Sequence, residues 1–124
     1  MRDPIASDQP KRLLVVDDDQ LVLRMMERAL RDDGLHVTAV HCPEAALDVL
    51  RDARRHIDVL LTDIVMPKLD GVELATVARQ HRPQLEVLFT SGYIEPSHQH
   101  GMPPDARLLC KPFTPDELLA FVRH

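Results

Sequence analysis

A chain of 124 residues has room for one domain around one hydrophobic core. No apolar run approaches the roughly 20 residues that cross a bilayer, and the polar, proline-containing start from Met1 to Pro10 reads as neither signal peptide nor anchor. On those two grounds no membrane insertion and a cytoplasmic protein are expected, and a net charge of −5 without a dense Lys/Arg block argues against direct nucleic-acid binding.

Residues 1–11 read as a flexible lead-in and 12–124 as one domain. Leu13-Leu14-Val15-Val16 is an uninterrupted apolar run ending in acid, the pattern of a strand buried on both faces. Val22, Met25, Met26, Ala29 and Leu30 then follow the spacing of one helical face. Asp19 is placed to cap that helix, and Gly34 to end it in the left-handed conformation. Cys42 and Cys110 have no metal-type spacing and read as buried or half-buried free thiols.

His36 to Val40 is a second strand, and Pro43 opens a helix with Ala46, Val49 and Leu50 inward. Ile57 to Thr62 forms the third strand. Asp70-Gly71, read as turn chemistry, leads into a helix carrying Leu74, Val77 and Ala78, stopped by Pro83. Val87 to Thr90 is the fourth strand and Arg107 to Cys110 a short fifth. Between them, Ile94 to Asp105 contains Pro96, Gly101, Pro103 and Pro104, so a helix there is expected to be short or irregular and the segment remodelled or mobile. Thr114, Pro115 and Glu117 form a capping-box signature for the last helix.

Strands alternating with helices at this pitch predict an α/β fold, a parallel sheet with helices on both faces. Ligands of such sheets bind beyond the carboxyl ends of the strands. Asp17, Asp18 and Asp19 follow the first strand, Asp63 the third, Thr90 and Ser91 the fourth and Lys111 the fifth, all at that edge. Carboxylates crowded there must take up protons or recruit a cation. Oxygen donors without soft ligands suit Mg²⁺ rather than zinc or copper. A carboxylate can also act as a nucleophile, forming an acyl phosphate while a metal, a lysine and a hydroxyl neutralise the transferring group. Only one of the adjacent Thr90 and Ser91 hydroxyls can face such a site.

Four segments, LLVVDDD, LLTDIVMPKLDG, VLFTSGY and LLCKPF, resemble in order and spacing the bacterial response-regulator receiver domains of the chemotaxis type, over about residues 11–124. The resemblance implies a doubly wound, flavodoxin-like five-stranded sheet of order 2-1-3-4-5. By position it makes Asp63 the phosphoacceptor and Asp17 and Asp18 the acidic pair. Of the pair, the resemblance makes Asp18 the direct metal ligand, and Asp63 and the Val65 main-chain carbonyl complete the set for Mg²⁺ or Mn²⁺. Ser91, followed by Gly92, is similar to the switch hydroxyl, Lys111 to the pairing lysine, and Lys111–Pro112 to the family's cis bond.

The implied function is a phosphorelay receiver. It would take a phosphoryl group from a sensor histidine kinase or histidine phosphotransfer protein, then bind a downstream protein target. It would act as a single-domain regulator or as part of a hybrid kinase, and would catalyse only its own modification. Two departures stand out: Leu108 occupies the place of the family's strand-five aromatic, with Tyr93 as a substitute, and the segment before strand five is proline-rich. An aspartyl phosphohydrolase using Asp17 and Asp19 is the rival from another class, but it leaves Asp63 unexplained. A docking-only receiver is the third reading. His98 and His100 read as solvated rather than metal-binding.

Overall fold

The computed structural model describes residues 10–92 and 101–123. In chain order it has β1 (Arg12–Val16), α1 (Gln20–Asp32), β2 (His36–Val40), α2 (Pro43–Arg51), β3 (Val59–Asp63), α3 (Gly71–His81), β4 (Glu86–Ser91), β5 (Arg107–Cys110) and α4 (Pro115–Arg123). All strands are parallel, in the order β2-β1-β3-β4-β5.

Alternation along the strands divides the core in two. Leu14, Val16, Leu60, Val87 and Phe89 pack on one face with Ala46 and Leu50 of α2 and Leu74, Ala75 and Ala78 of α3. Leu13, Val15, Val59, Leu61 and Leu88 face the other way, onto Leu23, Met26 and Leu30 of α1 and Leu118 and Val122 of α4. Burial on both faces is why β1 and β3 carry unbroken apolar runs; each fully buried Leu or Val contributes about 1.5–3 kcal/mol. The buried line of α1 runs through Leu23, Met26 and Leu30, with Val22, Met25 and Ala29 beside it, a small rotation from the expected face.

Local signals set the helix ends. The Asp19 side chain accepts from the Leu21 and Val22 amides at 3.0 and 3.3 Å, and Gly34 follows α1 with φ +88°. Pro43 stands at the start of α2. Asp70 and Glu73 form a reciprocal capping box for α3, as do Thr114 and Glu117 for α4. β3 runs to Asp63 itself, one residue beyond the expected end, because Asp63 still pairs with Thr90 of β4.

β5 differs from its neighbours. It is an edge strand whose outward residues Leu108 and Cys110 are exposed. Cys110 is therefore an exposed free thiol, against the expectation of a buried one: among the described residues no helix covers that side of β5. Cys42 is half-buried, as expected. The described residues 101–106 are turn and irregular backbone with no helix, and Gly101 takes φ +83°. The expected mobility and irregular helix of 94–100, the lead-in 1–9, Tyr93, and His98 and His100 lie outside the described residues.

Candidate functional site

The topology delivers the acids to one place. β1 ends at Val16, so Asp17 and Asp18 emerge at its carboxyl end, beside the end of the adjacent β3, where Asp63 stands. Asp17, Asp18 and Asp63 can each offer an oxygen such that all three lie within 4.8 Å of one another. Asp17 is fully buried and Asp63 is 6% exposed, whereas Asp18 is open to solvent.

One cation answers them. The Lys111 ammonium donates to Asp17 Oδ2 at 2.9 Å and lies 3.3 Å from Asp63 Oδ2. The Lys111–Pro112 peptide is cis, as expected. The Lys111 amide donates to the Ser91 carbonyl at 2.8 Å, which ties the end of β5 to the end of β4. Asp17 also accepts the Asp19 amide at 2.9 Å through Oδ1, so its two oxygens are both engaged.

The balance of charge is incomplete. Burial, with the charges of Asp17 and Asp18 adding to it, pushes the Asp63 carboxyl up to about 6 against the opposing pull of Lys111. Burial works against the Lys111 charge, but its hydrogen bond to Asp17 and the carboxylates of Asp63 and Asp17 outweigh it and hold the ammonium above the ordinary lysine range. Two buried carboxylates, a third at the rim and one ammonium form a site with net negative charge and hard oxygen donors. That donor set suits a hard divalent cation.

The backbone around Asp63 is closely built. The Thr62 hydroxyl donates to the Asp63 carbonyl at 2.9 Å. The Gly71 amide donates to Ile64 at 2.7 Å, and a Cβ added at Gly71 would lie 2.1 Å from the Asp63 carbonyl oxygen. Only glycine lets the start of α3 approach so near. Asp70-Gly71 is thus more than the turn chemistry expected of it, and a glycine at the first position of the helix that follows the Asp63 loop is the signal the sequence carries.

Both hydroxyls at the end of β4 are buried. Thr90 pairs in register with Asp63, while Ser91 pairs with Cys110, the neighbour of Lys111. The Thr90 hydroxyl has no hydrogen-bond partner among the described residues. Alternation alone thus puts Thr90 on the Asp63 side, so the choice of Ser91 rests on the resemblance. Val65, two residues past Asp63, lies 46% exposed in the loop after β3.

A family model described as "Response regulator receiver domain" matches residues 13–123. The chain is 38% identical over 105 residues to the response regulator receiver protein CpdR of Brucella abortus, covering 83% of this chain and 86% of that protein. It is 31% identical over 114 residues to the sensor kinase CckA of the same organism, covering 90% of this chain but only 12% of the kinase. The crystal structure of a response regulator receiver protein from Sinorhizobium medicae WSM419 superposes with a TM-score of 0.82 at 32% identity, over 93% of each chain.

Proposed function

The chain belongs to the response-regulator receiver domains of two-component systems, and from that premise we propose that Asp63 is its phosphoacceptor, taking a phosphoryl group from a phosphohistidine donor. The observation that carries this reading is the Lys111 ammonium bridging Asp17 and Asp63 beside a third carboxylate at the sheet's carboxyl edge. A carboxyl titrating at about 6 is mostly ionised at neutral pH and is available as a nucleophile. Its oxygen attacks phosphorus as the phosphorus–nitrogen bond of the donor breaks; the freed ring nitrogen keeps the bond pair and takes a proton from water, leaving an aspartyl phosphate and a neutral imidazole.

Lys111 lies where it can pair with an oxygen of the incoming group, while Asp17 holds the ammonium in place. Asp17, Asp18, Asp63 and the Val65 carbonyl would hold Mg²⁺, or Mn²⁺, which when bound neutralises the transferring oxygens. Ser91 supplies the hydroxyl that bonds the phosphoryl group and reports its presence through the Ser91–Lys111 backbone link. The reaction modifies the protein itself and releases no separate small-molecule product, so the chain is not a conventional enzyme.

A sensor histidine kinase or histidine phosphotransfer protein is the donor, and a protein whose affinity changes with phosphorylation is the target, in the cytoplasm. Relatives of both kinds, a receiver protein and a sensor kinase, support a single-domain regulator and a hybrid-kinase receiver alike. The phosphohydrolase reading loses its second acid, since the Asp19 carboxylate serves as the cap of α1. Treatment with acetyl phosphate and Mg²⁺ should add about 80 Da, one PO₃ unit, to the wild type and nothing to Asp63→Asn. Equal labelling of both proteins, or of neither, defeats the assignment.

A further inference from the structure

The opposite edge of the sheet carries a feature that phosphoryl acceptance does not use. A groove of about 740 Å³ opens across the amino ends of β2, β1 and β3, lined by Arg12, Arg31, Arg54, Arg55, His36 and His56 together with apolar and small residues. None of the described residues lining it is acidic. In a chain of net charge −5, four guanidiniums around one concavity are a concentration of charge that needs a reason.

Two of the four are partly spent. Arg31 pairs with Glu27 at 2.9 Å and Arg54 with Asp52 at 3.1 Å, both at exposed positions. Arg12 and Arg55 form no ion pair among the described residues, and Arg55 is steadied instead by donating to the Thr38 hydroxyl at 3.0 Å. His56 lies 3.2 Å from Asp58. The groove therefore presents two guanidiniums outside any ion pair, from separate elements, β1 and the α2–β3 loop: Arg55 is oriented by a neutral partner and acts on the Asp52 carboxylate only beyond contact range, and the Asp58 carboxylate accepts the Arg12 amide at 2.8 Å.

We propose that this groove binds a small ligand carrying two adjacent phosphates, a diphosphate or its nucleotide ester. The planar guanidinium fork matches phosphate oxygens two at a time, which an ammonium cannot do. The groove has the dimensions of a small-molecule site. Each phosphate brings more than one negative charge, enough to engage Arg12 and Arg55 and to draw on Arg31 and Arg54. An acidic peptide fits less well. Its natural route is strand addition along the edge strand β2, and there Arg31 donates to the Val37 carbonyl at 2.9 Å and blunts the edge.

The test is a two-dimensional amide NMR titration of the full chain in buffer free of divalent metal, first with inorganic pyrophosphate and then with ADP. Saturable shifts should fall on Gly34–Thr38 and Arg54–Ile57, with the amides around Asp63 unmoved. Arg55→Ala should weaken pyrophosphate about tenfold, the value of one charge-assisted contact, and Arg55→Lys should recover only part of that. Labelling of Arg55→Ala by acetyl phosphate at the wild-type level shows that the variant is folded. Tighter ADP binding assigns a nucleotide, and equal binding assigns the diphosphate alone; both support the proposal. Unsaturable shifts, shifts centred on Asp63, wild-type affinity in Arg55→Lys, or tighter binding of a glutamate-rich peptide would each overturn it.

Discussion

At the carboxyl end of the sheet Asp17 and Asp63 are buried and share one ammonium, whereas at the amino end Arg12 and Arg55 lie exposed around an open groove. β1 begins at Arg12 and leads into Asp17, and β3 lies between Arg55 and the end at Asp63, yet burial decides what each cluster costs. A buried carboxylate cannot borrow stabilisation from water, so its partners are close, few and individually important. Exposed guanidiniums stay solvated, and removing one should barely change stability. A five-residue strand spans about 16 Å, beyond the screening length of about 8 Å at physiological salt, so the two ends should respond independently.

The largest effect should follow from breaking the buried pair. In metal-free buffer Lys111→Ala should destabilise the fold by about 3–5 kcal/mol in a urea melt, because Asp17 and Asp63 lose their cation. Added Mg²⁺ should return part of the loss. A change below 0.5 kcal/mol would place Lys111 in the same class as the exposed arginines and erase the contrast between the ends.

Gly71→Ala should cost about 2–3 kcal/mol, since the new methyl would press on the Asp63 carbonyl and push α3 away. It should also slow acetyl-phosphate labelling more than its stability loss explains, because the displaced backbone is that of Asp63. A fully active, fully stable Gly71→Ala would show that the approach of α3 is not needed to place the carboxylate.

A smaller effect concerns pH. Folded Asp63 holds its proton more tightly than the unfolded chain does, so its contribution is complete below the ordinary aspartate range and is lost as pH rises through about 6. In metal-free buffer Asp63→Asn should therefore gain about 1–2 kcal/mol at pH 7 and flatten the fall in stability between about pH 4 and 6. A thermal melt series across that range reads the sign directly. A variant less stable than wild type at pH 7 would contradict the burial of charge at this end.

The smallest change separates the adjacent hydroxyls. Thr90→Val removes a buried oxygen without a partner among the described residues and should be neutral or stabilising by up to about 1 kcal/mol, with labelling unaltered. Ser91→Ala should change the rate of phosphorylation or the lifetime of the product. The reverse pattern would move the hydroxyl role to Thr90, the residue in register with Asp63.

What could be read from the sequence were features whose causes are local. The unbroken runs of β1 and β3 announce two covered faces; Asp19, Pro43 and the Thr114–Glu117 pair mark helix starts through bonds reaching only a few residues. The fold class and the gathering of acids at one edge follow from that alternation. Strand order, metal ligands and the identity of the acceptor came with the resemblance, not from periodicity. Exposure of Cys110 was missed because an apolar flank in sequence does not reveal which strand stands at an edge.

Composition and pattern by themselves determined a strand–helix alternation and the residue types waiting at the strand ends. Only the tertiary structure decided that Lys111 meets Asp17 across 94 positions of chain, that Gly71 must lack a side chain beside Asp63, and that the scattered arginines at 12, 31, 54 and 55 share one groove. The physical reason is common to all three. Coulomb attraction and steric exclusion act through space over a few ångströms, and the sequence records distance along the chain instead.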